Sequence, residues 1–142
     1  MISPLSNEAK STLLDILSLR ADMELAMVEM YSPWLVNAPT VDGRLFVAKL
    51  VSDELNHAWQ LSRIIQEFKP EGEKIVDELR NLRLGLHKLE AFNLPLFNWD
   101  DVLAFTFLID KAGIYMLEAL RNYEPLSKVV ENMIKEEELH VT

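Results

Sequence analysis

Twice in this chain a glutamate is followed three positions later by a histidine, on helical faces that are otherwise apolar. Glu54 and His57 share a face with Val47, Leu50, Leu61 and Ile64 or Ile65. Glu137 and His140 share one with Leu126, Val129, Val130 and Met133. Residues three apart on a helix project to the same side, so each pair can grip one ion. Each pair also follows a lone carboxylate on an earlier apolar stripe. Glu24 precedes Glu54 by 30 positions, and Asp110 precedes Glu137 by 27, as though one helical hairpin had been used twice. Two such pairs, with a carboxylate from each of two further helices, form the ligand pattern of a di-metal four-helix bundle.

The charges support that reading. Four carboxylates carry −4, which two divalent ions balance, and four carboxylates with two imidazoles suit first-row metals such as iron or manganese. Without metal, four acids facing one low-dielectric core repel each other and lose hydration, which pushes several to protonate. A sequence selected only to fold would place leucine there. Each residue alone has a plainer explanation. An acid–x–x–histidine tetrapeptide is most often a solvated surface pair. Glu24 has Arg20 one turn earlier, an ordinary i,i+4 ion pair, and Asp110 has the Thr106 hydroxyl one turn earlier as a hydrogen-bond donor. The matched set carries the metal reading.

Helical periodicity dominates the rest, with no convincing strand alternation. The pattern predicts a first helix from Asn7 to Tyr31, stopped by Pro33, and a second from Val41 to Phe68. A shorter crossover helix is predicted from Glu73 to Leu89, then an apolar loop from Ala91 to Phe97. A helix capped by Asn98 or Asp100 runs to about Arg121, and the last helix starts at Pro125. The 142 residues fit one domain, residues 1–142. Glu136 and Glu138 lie off the Met133 stripe and are expected in solvent. Glu118 lies off the Asp110 face, His87 is expected at the surface or half-buried, and Tyr31 and Tyr115 are expected to pack in the core. The six methionines read as core filler.

Composition removes other classes. No cysteine is present, which excludes disulfides, thiolate metal sites and thiol nucleophiles. A net charge of −9 leaves no basic face for nucleic acid. Four glycines without a glycine-rich phosphate loop argue against P-loop or dinucleotide chemistry. No apolar run approaches the ~18–20 residues of a membrane span. The first residues show no signal segment, so no membrane partner and a cytoplasmic location are expected.

Three blocks resemble the catalytic oxygenase subunit family of phenylacetyl-CoA epoxidase, the ring-1,2-epoxidase of phenylacetate degradation. They are Ala48 to His57; Phe92-Asn93-Leu94-Pro95 with Asp100-Asp101-Val102 and Leu108 to Gly113; and Lys135 to His140. The Phe-Asn-x-Pro loop, and an aspartate where a glutamate is commoner, are more specific than the ligand spacing. The resemblance implies Glu24, Glu54, His57, Asp110, Glu137 and His140 as ligands of two iron ions, with manganese as the other candidate. It also implies an acyl-CoA substrate, O2, a separate reductase, and assembly as a homo-oligomer or with a structural oxygenase subunit. Catalytic members continue well beyond the position of His140. The resemblance therefore implies a fragment, or a minimal relative whose last helix is supported by a second chain, with activity dependent on partners or on the missing part.

The expectation is an all-α, ferritin-like four-helix bundle with one additional short crossover helix. Its expected activity is a di-iron monooxygenase that inserts an oxygen atom from O2 into an aromatic or unsaturated acyl-CoA. Two alternatives stand beside it. One is an iron-handling or peroxide-reducing protein of the ferritin–rubrerythrin type, against which Asp110 speaks. The other is a non-catalytic structural subunit of an oxygenase complex.

Overall fold

The computed structural model describes residues 6–81 and 87–141. Its helices begin where a short polar side chain can accept an N–H that the first turn leaves unpaired. Ser6 caps α1 (Asn7–Tyr31) by accepting from the Ala9 amide at 3.1 Å. After Pro33 a single turn forms, α2 (Trp34–Asn37), between the two predicted helices. Thr40 Oγ1 accepts the Gly43 amide at 2.9 Å and opens α3 (Val41–Gln66). The short α4 (Glu71–Arg80) follows. Asn98 Oδ1 accepts the Asp101 amide at 2.8 Å at the start of α5 (Trp99–Leu120), and α6 is Glu124–His140. No strand occurs among the described residues. The architecture is an all-α, ferritin-like bundle of four long helices.

In the bundle α1 packs chiefly on α3, α5 on α6, and α3 meets α6 across the middle. Two apolar clusters fill it. One gathers Leu14, Leu17, Leu61, Ile65, Leu117, Leu126 and Met133. The other gathers Met27, Tyr31, Val47, Leu50, Phe92 and Val102. On α1, α3 and α5 the candidate ligands fall between residues of these two clusters, and on α6 they follow residues of the first, so a polar layer lies between two bodies of hydrocarbon. None of the described helices is long and apolar enough to cross a membrane.

The crossover departs from its predicted form. Its helix covers Glu71–Arg80 instead of Glu73 to Leu89. Asn81 caps the end, its side-chain amide donating to the Asp77 carbonyl at 2.8 Å. Leu82 and Leu86, on which the longer helix depends, lie outside the described residues. Beyond them, the Asn93 side chain takes both backbone groups of His87: Oδ1 accepts its amide at 2.7 Å, and Nδ2 donates to its carbonyl at 3.0 Å. That commits residue 87 to a non-helical path. A 3₁₀ turn, Glu90–Asn93, follows and overlaps the start of the predicted apolar loop. It drives Phe92 into the core against Phe105, ring centroids 5.7 Å apart.

His87 is also not a surface residue. It is buried, with Nδ1 3.1 Å from Asp22 Oδ1 and Nε2 2.6 Å from Glu29 Oε2. Ionised carboxylates only accept, so both ring nitrogens donate and the ring is an imidazolium. Burial pulls its pKa down, but Glu29 and Asp22 outweigh this and hold it above the ordinary value. Asp22 also accepts the Lys88 amide at 2.9 Å, so the charge cluster pins this segment to α1. A histidine with a raised folded pKa stabilises fully below about pH 6.5, and loses that contribution as pH rises through the folded value. His87→Gln is therefore expected to destabilise by about 2 kcal/mol at pH 6. The gap to the parent should narrow toward pH 9 in urea unfolding, whereas a pH-independent gap would mean an uncharged ring.

Candidate metal centre

All six residues singled out by spacing arrive in the buried layer: Glu24 from α1, Glu54 and His57 from α3, Asp110 from α5, Glu137 and His140 from α6. They form two groups. Glu24, Glu54, His57 and Glu137 each offer a donor atom within 4.8 Å of the others, and so do Glu54, Asp110 and His140. Glu54 belongs to both. Its Oε2 lies 3.7 Å from His57 Nδ1 and its Oε1 lies 3.4 Å from His140 Nδ1, so the carboxylate spans the two halves. His57 Nδ1 also lies 3.5 Å from Glu24 and 3.9 Å from Glu137, and His140 Nδ1 lies 2.9 Å from Asp110.

Each histidine presents Nδ1 to the carboxylates and is held from behind at Nε2. The holders are the acids that immediately precede each motif's glutamate, exchanged between motifs. Asp53 Oδ2 meets His140 Nε2 at 2.7 Å, and Glu136 Oε2 meets His57 Nε2 at 3.0 Å. Lys49 Nζ in turn meets Asp53 Oδ1 at 2.7 Å. Glu136, expected in solvent, is thus a correction: only 28% of its side chain is exposed. Helical position alone misses this, because Glu136 is off the apolar stripe yet at the edge that meets α3. The signal in the sequence is a repeated doublet, Asp53-Glu54 and Glu136-Glu137, each just ahead of its histidine.

Arg20 is the other residue whose role the sequence understates. Its expected bond to Glu24 is there, Nε to Oε1 at 2.7 Å, but the guanidinium is 1% exposed and also donates to Glu137 Oε1. The ion pair and the ligand cluster are the same place. Thr106 does not serve Asp110; its hydroxyl pairs with the Val102 carbonyl at 2.7 Å and the Tyr31 hydroxyl at 3.0 Å. Tyr31 is core, as expected. Tyr115 is 74% exposed and is not. Glu138 is exposed, and Glu118 pairs with Arg121 at 3.1 Å, away from the centre.

The electrostatics describe a site short of positive charge. Burial, reinforced by Glu24 and Asp110 against the opposing pull of Arg20, pushes the Glu137 carboxyl up to about 8. Burial likewise raises Asp110 against the pull of His140. Burial works in the other direction on His57 and His140, but their carboxylate neighbours outweigh it and raise both. Glu24 Oε2, both Glu54 oxygens, His57 Nδ1, Asp110 Oδ1 and Glu137 Oε2 are buried without a hydrogen-bond partner. Orphaned acceptors are rare in folded proteins, and here they converge. Carboxylate oxygens and imidazole nitrogens in this number fit first-row ions such as iron or manganese.

The family described as phenylacetic acid catabolic protein matches the chain over residues 2–142. The chain belongs to that family. Among its relatives, benzoyl-CoA oxygenase component B of Aromatoleum evansii is 26% identical over 141 residues, covering 94% of this chain and 30% of that protein. One of the subunits of the 1,2-phenylacetyl-CoA epoxidase of Escherichia coli (strain K12) is 25% identical over 133 residues, covering 92% of this chain and 42% of that protein. This family member therefore spans less than half the length of either relative.

Residues that hold a ligating histidine from behind typically contribute 10–100-fold to metal affinity. Asp53→Asn is expected to weaken Mn(II) binding by about that factor. Glu136→Gln should cost less, because water can replace a partly exposed carboxylate. Equilibrium dialysis against Mn(II) measures both, and wild-type affinity in Asp53→Asn would remove Asp53 from this role.

Proposed function

We propose that this chain is the di-iron subunit of a multicomponent oxygenase that inserts one atom of O2 into an aromatic or unsaturated acyl-CoA. The observation that carries the reading is the sharing of Glu54 between two buried, oxygen-rich ligand groups. The names of the relatives, a benzoyl-CoA oxygenase component and a phenylacetyl-CoA epoxidase subunit, agree with it.

Glu24, Glu54, His57 and Glu137 would hold one ion, and Glu54, Asp110 and His140 the other. Iron at these positions supplies the electrons and open coordination that O2 activation needs. The chain's own part is placement and protection. Leu17, Leu61 and Met133 on one side, and Met27, Val47 and Leu50 on the other, keep bulk water from the layer. A groove of roughly 440 Å³ between α3, α5 and the end of α6 leads inward to Thr106 and His140. Phe46, Trp99, Leu103 and Phe107 give it apolar walls suited to the acyl or aryl end of a substrate. Electrons would come from a separate reductase, as the resemblance to the phenylacetyl-CoA epoxidase family implies. A second copy or a structural subunit would complete the assembly.

One observation favours a second reading. Arg20 already neutralises part of the carboxylate cluster, as a metal-free structural subunit would require. Iron content separates the two. Anaerobic reconstitution with Fe(II), read by plasma mass spectrometry, should give about two irons per chain at saturation. It should give fewer than one in Glu54→Ala, which removes the ligand common to both groups. Incorporation of ¹⁸O from ¹⁸O2 into phenylacetyl-CoA or benzoyl-CoA, with a reductase present, then tests the reaction. A folded chain that takes up no iron would count against the di-iron reading and favour the structural one.

A further inference from the structure

Arg20 lies inside the ligand layer, and the two halves of that layer do not feel it equally. Its hydrogen bonds go to Glu24 and Glu137, both members of the group that contains His57. In the other group, Asp110 and His140 pair with each other, and Asp110 Oδ1 is left without a partner. The guanidinium is not there by chance of packing, because α5 makes room for it. A Cβ added at Gly113 would stand 2.6 Å from Arg20 Nη1 and 2.7 Å from Glu137 Oε2. Glycine weakens a helix interior, so a glycine at this contact marks a space that must stay open.

The charges follow the same division. Counted formally as they would stand around metal, with carboxylates ionised and imidazoles neutral, the four ligand carboxylates against one guanidinium leave three negative charges in the layer. One divalent ion at Glu54, Asp110 and His140 reduces that to one. A second ion would leave an excess of positive charge, and would compete with Arg20 for Glu24 and Glu137, whose Oε1 atoms accept from the guanidinium while their Oε2 atoms stay without a partner.

Building on the di-metal reading above, we propose that Arg20 is a built-in competitor for the Glu24–Glu137 half of the centre. The chain then fills in order, first at Glu54–Asp110–His140 and later at Glu24–Glu54–His57–Glu137, where the second ion must share Glu24 and Glu137 with the guanidinium. Arg20 is a positioning residue: in the ion-free protein it holds two carboxylates together, and on loading it sets the gap between two affinities.

Titration with Mn(II) alone, with the free ion counted by electron paramagnetic resonance, tests this without turnover. Wild type should bind two ions in separated steps. Arg20→Met, which keeps length and removes charge, should tighten the second step at least tenfold and lower the melting temperature of the ion-free protein. Arg20→Lys should keep the separation, which a purely space-filling role would not require. Two ions bound with equal affinity by wild type would overturn the proposal while leaving the metal centre standing, and that outcome requires no variant to fold. An unchanged second step in Arg20→Met would do the same. No Mn(II) bound by wild type or by Arg20→Met would remove the metal centre and the proposal together.

Discussion

Everything in this bundle accommodates four carboxylates held away from water at one level of its core. Burying an unpaired carboxylate costs several kcal/mol, whereas a fully buried leucine contributes roughly 1.5–3 kcal/mol. A core of this size can carry such a layer only if positive charge is brought to it, and even so both Glu54 oxygens are left without a hydrogen-bond partner. The partners come from three of the long helices: a guanidinium from α1, an imidazole each from α3 and α6, and bracing acids beside both imidazoles. The two apolar clusters are arranged around that requirement. They close the layer from both ends, and that closure lowers the dielectric and makes the pairing compulsory.

The elements carrying a full apolar stripe are legible from sequence almost to the residue. α1 spans Asn7 to Tyr31 as predicted, although its N-cap is Ser6 and not the expected Asn7, and α3 begins at Val41 as predicted and ends at Gln66 instead of Phe68. The placement of the six candidate residues in the core is legible for the same reason, since a polar side chain interrupting a hydrocarbon stripe violates the pattern that defines the helix. What periodicity cannot show is pairing between helices. Arg20 and Glu137 are 117 positions apart, and Glu136 and His57 are 79 apart. Nothing along either helix alone announces those bonds. His87 is opaque in the same way, because its partners Asp22 and Glu29 lie on α1, 65 and 58 positions earlier. The crossover differs for another reason: side-chain bonds from Asn81 and Asn93 to the backbone override helical propensity there.

The exchange of bracing acids ties the two hairpins into one device. Asp53 sits on α3 but holds the histidine of α6, and Glu136 sits on α6 but holds the histidine of α3. A shift of α3 against α6 would therefore loosen both imidazoles at once. Neither hairpin could brace its own histidine this way, because each helix supplies both a ligand group to the layer and the support for its neighbour's. The repeated acid–Glu–x–x–His sequence is the one-dimensional trace of that reciprocity, and a lone motif could not produce it.

His140 shows what such cross-bonding achieves. It is the last residue of α6, where the final turn normally frays because its carbonyls lack intrahelical partners. Helix propensity cannot hold a side chain there. Two bonds from other helices do, Asp110 at Nδ1 from α5 and Asp53 at Nε2 from α3, and they leave the residue only 6% exposed. The same position puts His140 on the wall of the apolar groove, beside Thr106 and Phe107. The half of the layer without Arg20 is thus the half that meets the groove. In the proposed reaction, the half that fills first is also the one nearest an incoming substrate. The arginine-held half contributes no residue to that groove, so the guanidinium that competes for Glu24 and Glu137 stands off the substrate's path.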